Sequence, residues 1–97
     1  MPRRAARVDG NHGQIVDALE SVGCRVLSLA SLGRGVPDLL VCSPRGALLL
    51  FELKDPSQPA SKRKLRELQA QWHADWHRAP LHVVETTADA VRIALAA

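Results

Sequence analysis

Cysteine is nearly absent from this sequence: Cys24 and Cys42 are the only two. Two thiols cannot build a disulfide framework, so they read as small buried hydrophobes in a reducing compartment, which predicts a cytoplasmic protein. Long apolar runs are missing as well. No stretch approaches the roughly 20 residues of a membrane span, which argues against a membrane partner. The start, MPRRAARVDG, has basic residues without an apolar segment after them, so no secretory signal is expected. There are no internal repeats and no low-complexity segment. Nothing resembles a Ser/His/Asp triad or a phosphate-binding P-loop.

What is present fits one domain. Ninety-seven residues with 46% hydrophobic content allow one modest core over 1–97, with 1–8 a frayed arm. The net charge of +3 permits nucleic acid as a partner without demanding it. Its basic residues gather in two groups, Arg3, Arg4 and Arg7, and Lys62, Arg63, Lys64 and Arg66.

The chemistry concentrates between Gly35 and Lys54, GVPDLLVCSPRGALLLFELK. Two apolar runs, 38–42 and 47–54, flank the turn Pro44-Arg45-Gly46, a hairpin pattern. If the hairpin is antiparallel and centred on Arg45, facing residues have numbers that sum to 90, and Asp38 faces Glu52. Such a pair lies about 5 Å apart on one face, and alternation puts Lys54 on that face too. Two carboxylates at about 5 Å repel by roughly 3 kcal/mol at an effective dielectric of about 20. Lys54 offsets part of this, and a divalent cation with oxygen ligands, Mg²⁺ or Mn²⁺, would offset more. A solvated cross-strand charge cluster would carry the same three residues, but Pro37, Leu39, Leu40, Phe51 and Leu53 are poor company for one.

Around this hairpin the pattern gives the remaining elements. Asn11 to about Val22 reads as a helix with Ile15, Ala18, Leu19 and Val22 on one stripe, Asn11 as N-cap and Gln14 completing a capping box. Arg25–Ala30 reads as a strand. The loop 31–36 is made permissive by Gly33 and Gly35, either as a plain turn or to let a phosphate approach. Leu40, Leu48 and Leu50 make the hairpin apolar on its second face, which calls for helices on both sides. Ser61 is placed to cap a helix running to about Arg78, with a stripe of Leu65, Leu68, Trp72 and Trp76. Gln69 projects from that stripe and needs a partner, a backbone carbonyl or the charged end of the hairpin. His73 and His77 have the i, i+4 spacing of metal ligands, but no third ligand accompanies them. Leu81–Glu85 is a fourth strand, and Thr87 caps a final helix with Ala88, Val91, Ala94 and Leu95 inward. The order is helix, three strands, helix, strand, helix.

These residues carry a resemblance. Pro37-Asp38 followed by Glu52-Leu53-Lys54 resembles the signature of the PD-(D/E)XK nuclease superfamily. The wider pattern, Gly33-x-Gly35-Val36-Pro37-Asp38, Phe51-Glu52-Leu53-Lys54, Ser61 and Gln69-x-x-Trp72-His73, resembles the VRR-NUC family, and within it small phage and prophage proteins. The resemblance implies an α/β fold with a restriction-endonuclease-like αβββαβ core, its four-stranded mixed sheet flanked by helices on both faces. It implies a metal-dependent endonuclease acting on branched DNA such as four-way junctions, as a homodimer. Asp38, Glu52 and the Leu53 backbone carbonyl would hold Mg²⁺ or Mn²⁺, Lys54 would act on the water, and Gln69 would support the site. Gly33, Arg34, Gly35, Ser61, Lys62, Arg63 and Lys64 are the expected DNA contacts. One residue departs from the pattern: Gln14 stands where the family commonly has an acid, which leaves it a supporting role near the metal and puts a second metal in doubt. The rival reading is a nucleic-acid-binding accessory protein with a nuclease-like fold and no catalysis.

Overall fold

The register of the central hairpin follows directly from its turn. In the computed structural model, which describes residues 10–59 and 65–97, β2 (Leu39–Cys42) and β3 (Leu48–Leu53) pair antiparallel with Leu39 opposite Phe51, Leu40 opposite Leu50, Val41 opposite Leu49 and Cys42 opposite Leu48. Every pair sums to 90, as the Arg45-centred hairpin requires. Ser43 closes the turn: its N–H donates to the Ala47 carbonyl (2.8 Å) and its hydroxyl accepts from the Ala47 N–H (3.0 Å).

Helix α1 (His12–Ser21) precedes β1 (Arg25–Ser28), which lies antiparallel to β2. A 3₁₀ turn, Ala30–Leu32, ends that strand two residues earlier than its apolar pattern suggested. Helix α2 (Glu67–Asp75) lies between β3 and β4 (Leu81–Val84), and α3 (Thr87–Ala96) closes the chain. Because β4 runs parallel to β3, the chain must cross over between them. The sheet order is β1-β2-β3-β4 with one parallel pair. This is the expected mixed four-stranded α/β arrangement.

The two faces of the sheet are unequal. Leu39, Val41, Leu49, Phe51, Leu53 and Val84 are buried against Ile15 and Leu19 of α1 and Ala90 and Ala94 of α3. The opposite face carries Asp38, Glu52 and Lys54 at one end, where α2 bonds to it through Gln69. The register also lines Leu27, Leu40, Leu50 and Leu81 across all four strands on that face. Its cover is incomplete: Leu27 is 58% exposed, Leu48 59% and Val83 50%. Helices do lie on both faces, but the second is only partly roofed.

Several local expectations are corrected. Asn11 precedes α1 but makes no side-chain cap; its Nδ2 donates instead to the carbonyls of Lys54 (3.1 Å) and Glu85 (2.7 Å), tying the start of α1 to the ends of β3 and β4. The α2 stripe is not buried. Leu68 and Trp76 are more than half exposed, with Trp76 stacked on Trp72 at 4.6 Å, because α2 turns the polar Gln69 toward the sheet. Helix α2 starts at Glu67, after an extended Arg66, and the proposed Ser61 cap lies outside the described residues. At α3, Thr86 rather than Thr87 is the cap, accepting from the Asp89 N–H (3.1 Å), and Ala90 is buried while Leu95 is 45% exposed.

Candidate active site

Asp38 stands at the start of β2, behind a buried Pro37. Its carbonyl accepts from Leu29 N–H (2.7 Å) and its Oδ2 from Leu53 N–H (2.8 Å). The carboxylate is thereby fixed across the hairpin at the end of β3. In an extended strand the N–H and C=O of one residue leave on the same side, so the Leu53 carbonyl shares the Asp38 side of β3.

Glu52 is 1% exposed and Lys54 6%. A buried charge needs compensation, since desolvation costs several kcal/mol per ion. The compensation comes from each other and from α2. Lys54 Nζ lies 3.8 Å from Glu52 Oε2. Gln69 bridges them: its Oε1 accepts from Lys54 Nζ (3.1 Å) and from Arg66 N–H (2.9 Å), while its Nε2 donates to Glu52 Oε2 (2.9 Å). The charged end of the hairpin is therefore the partner Gln69 required. One amide sets the positions of a carboxylate, an ammonium and the first turn of a helix.

His73, four residues after Gln69, was not among the site residues the sequence suggested. Its Nε2 lies 4.0 Å from Glu52 Oε1, beyond hydrogen-bond length. Burial, and then the Lys54 charge, push its pKa below the ordinary histidine value, which favours the neutral ring. The i, i+4 placement on the Gln69 face was the available signal. His77 is exposed, with Nδ1 3.0 Å from the Ala74 carbonyl. Among the described residues, no group of three or more His, Cys, Asp or Glu gathers as a metal cluster.

Gly33, Arg34 and Gly35 line a cleft of about 410 Å³ together with Asp38 and Gln69, between their loop and the start of α2. Arg66 and Leu68, not assigned from sequence, line it as well. Gln14 is exposed and borders a different recess with Asp55 and Glu85. Ser61, Lys62, Arg63 and Lys64 lie outside the described residues. No helix among the described residues is long and apolar enough to cross a membrane.

A mixed sheet between helices, with two acids and a lysine at one strand end, defines an α/β fold of nuclease type. No protein-family model matches the sequence, and no curated protein does. A solved structure described as a VRR_NUC domain is similar, with a TM-score of 0.64 and 28% identity, over 84% of this chain and 87% of that one. That likeness supports the resemblance to the VRR-NUC family and is consistent with a nuclease-type function.

Proposed function

We propose that this chain is a divalent-metal-dependent DNA endonuclease, selective for branched DNA such as four-way junctions and working as a cytoplasmic homodimer. The observation that carries the reading is the buried Glu52–Lys54–Gln69 cluster set beside Asp38 at one end of the hairpin. The donors suit a hard cation. Asp38 and Glu52 offer carboxylates and Leu53 a carbonyl, all oxygen. Mg²⁺ commonly takes one or two carboxylates and completes its shell with water and phosphate, so no third acidic or imidazole ligand is needed. Asp38, Glu52 and the Leu53 carbonyl would hold Mg²⁺ or Mn²⁺. When bound, the metal would neutralise phosphate charge and lower the pKa of a water.

The chain's own groups do the rest. Lys54 presents an ammonium that orients the attacking water or stabilises charge developing on phosphate. Gln69 positions Lys54 and Glu52 and touches no substrate atom in this scheme. Gly33, Arg34 and Gly35, in the cleft beside Asp38, supply backbone and side-chain contacts to DNA. Free thiols at Cys24 and Cys42 suit a reducing cytoplasm. The test is digestion of linear, nicked, flapped, forked and four-way DNA with Mg²⁺ or Mn²⁺, with and without EDTA. Metal-dependent cleavage favouring the four-way junction is expected. DNA binding without cleavage of any substrate would replace the enzyme with the accessory-protein reading.

The homodimer rests on the half-open leucine face. Leu27, Leu48 and Val83, each half or more exposed beside the row through Leu40, Leu50 and Leu81, make an apolar patch larger than scattered surface leucines. A flat apolar sheet face can meet its own copy about a two-fold axis. Replacing Leu27 and Leu48 together by Asp is expected to convert dimer to monomer in sedimentation, with monomer folding changed by less than about 0.5 kcal/mol because both side chains are exposed. A wild-type protein that sediments as monomer at tens of micromolar removes the claim.

A further inference from the structure

The cleft beside Asp38 has features that phosphodiester hydrolysis alone does not require. Gly33, Arg34 and Gly35 form an unbroken run of positive φ, at 67°, 60° and 79°. Arg34 is the one non-glycine among the described residues in that conformation, which is unfavourable for a residue with a Cβ. A glycine at position 34 would relieve it. The strained turn sets an arginine at the cleft instead, and neither Arg34 nor Arg66 across from it forms an ion pair with a described residue. Asp38 and Glu67 are the acids on the same walls. Ala30, Val36 and Leu68 supply apolar surface between them. The far wall is held close: a Cβ at Gly35 would collide with the Leu68 carbonyl.

Resting on the nuclease reading, we infer that this cleft receives one unpaired nucleotide of the DNA strand next to the phosphate to be cut. Its volume of about 410 Å³ falls among pockets for small ligands, about 300–1,000 Å³. That is room for a single base and sugar and too little for a base pair. Arg34 and Arg66 take the flanking phosphate, and Arg can do so through two parallel hydrogen bonds. Val36 and Leu68 take the face of the base. Asp38 lies on the shared boundary of cleft and catalytic cluster, so the nucleotide is contiguous with the reacting phosphate. A branched DNA would engage this cleft where a nucleotide at the branch is unpaired or flipped from its stack, and a continuous duplex would not.

The experiment measures binding, with Ca²⁺ in place of Mg²⁺, by fluorescence anisotropy. It compares a continuous duplex with the same duplex carrying one extrahelical nucleotide, and with that nucleotide made abasic. The extrahelical nucleotide is expected to tighten binding by about 10-fold, in keeping with burial of one base face against Val36 and Leu68, and the abasic form to lose most of that gain. In Arg34→Gly the gain falls below about 2-fold and the slope of log K against log salt drops by about one. The same variant melts no lower than wild type, since the strain is gone, so loss of binding cannot be assigned to unfolding. Arg66→Ala gives the same binding result by a second route. Equal affinity of wild type for the extrahelical and continuous duplexes overturns the inference, as does an undiminished gain in Arg34→Gly. Displacement of the DNA by micromolar free deoxynucleoside monophosphate also overturns it and assigns the cleft to a free nucleotide. Absence of cleavage in Mg²⁺ together with an intact 10-fold gain defeats the enzyme reading alone and upholds the pocket.

Discussion

Glu52→Gln is expected to lower Mg²⁺- or Mn²⁺-dependent cleavage by at least about 10³-fold, because the metal it would help to hold contributes several kcal/mol of charge stabilisation, while the protein stays folded. Glutamine keeps the shape of the side chain and can accept the Gln69 Nε2 hydrogen bond that Glu52 Oε2 now accepts at 2.9 Å. It lacks the charge needed to hold a cation. Lys54 then keeps Gln69 Oε1 as a partner at 3.1 Å, so the stability cost should be that of one weakened buried bond, about 1–3 kcal/mol. Lys54→Ala makes the contrast. It also removes activity, but it takes from the 1%-exposed Glu52 carboxylate the ammonium 3.8 Å away, a loss that costs up to about 3–5 kcal/mol in buried pairs. Denaturant midpoints should therefore rank wild type, Glu52→Gln, Lys54→Ala, and Lys54→Ala should recover stability when Glu52→Gln is added. Wild-type rates from Glu52→Gln at any metal concentration would remove the assigned site, whatever the stabilities.

That site was legible because strand geometry is rigid. With Pro44-Arg45-Gly46 as the turn, the pairing of Asp38 with the end of β3 and the shared face of Glu52 and Lys54 follow from period-two alternation. Gln69 was legible for a related reason: a polar residue within an apolar helical stripe must bond to something. The failures arise where a local pattern names a face without naming what covers it. Leu68, Trp72 and Trp76 have core spacing, yet α2 turns Gln69 and His73 toward Glu52, so Leu68 and Trp76 stay largely in solvent. Leu40, Leu48 and Leu50 asked for a full roof and received part of one. Asn11 had the sequence of a helix cap, but the carbonyls of Lys54 and Glu85, distant in sequence, are its hydrogen-bond partners. The depth at which Lys54 lies could not be read from alternation, which gives a side and not a burial.

Gly35→Ala is expected to be among the most disruptive single-methyl changes in the chain. Two costs add at this position. The residue sits at φ 79°, where a Cβ costs about 1–2 kcal/mol. The added carbon would also overlap the Leu68 carbonyl and press on the Gln69 backbone nitrogen, both backbone atoms at the start of α2 and unable to swing aside as a side chain would. Gly33→Ala carries a backbone cost without the collision, since φ is 67° and ψ −157° there, a region nearly confined to glycine, but nothing lies within 4 Å of the new carbon. For a domain of this size, about 1 kcal/mol shifts Tm by roughly 4–8 °C. Gly33→Ala should thus lower Tm by roughly 4–16 °C and Gly35→Ala by more, at least about 10–20 °C. The collision has a second consequence at temperatures where Gly35→Ala is still folded. Relief requires the first turn of α2 to back away, and that turn carries the amide holding Lys54 and Glu52. Cleavage by folded Gly35→Ala should therefore fall at saturating metal, through a displaced Lys54. Equal melting temperatures for Gly33→Ala and Gly35→Ala would show that α2 does not press on this loop, and the coupling between cleft and catalytic cluster would be lost with it.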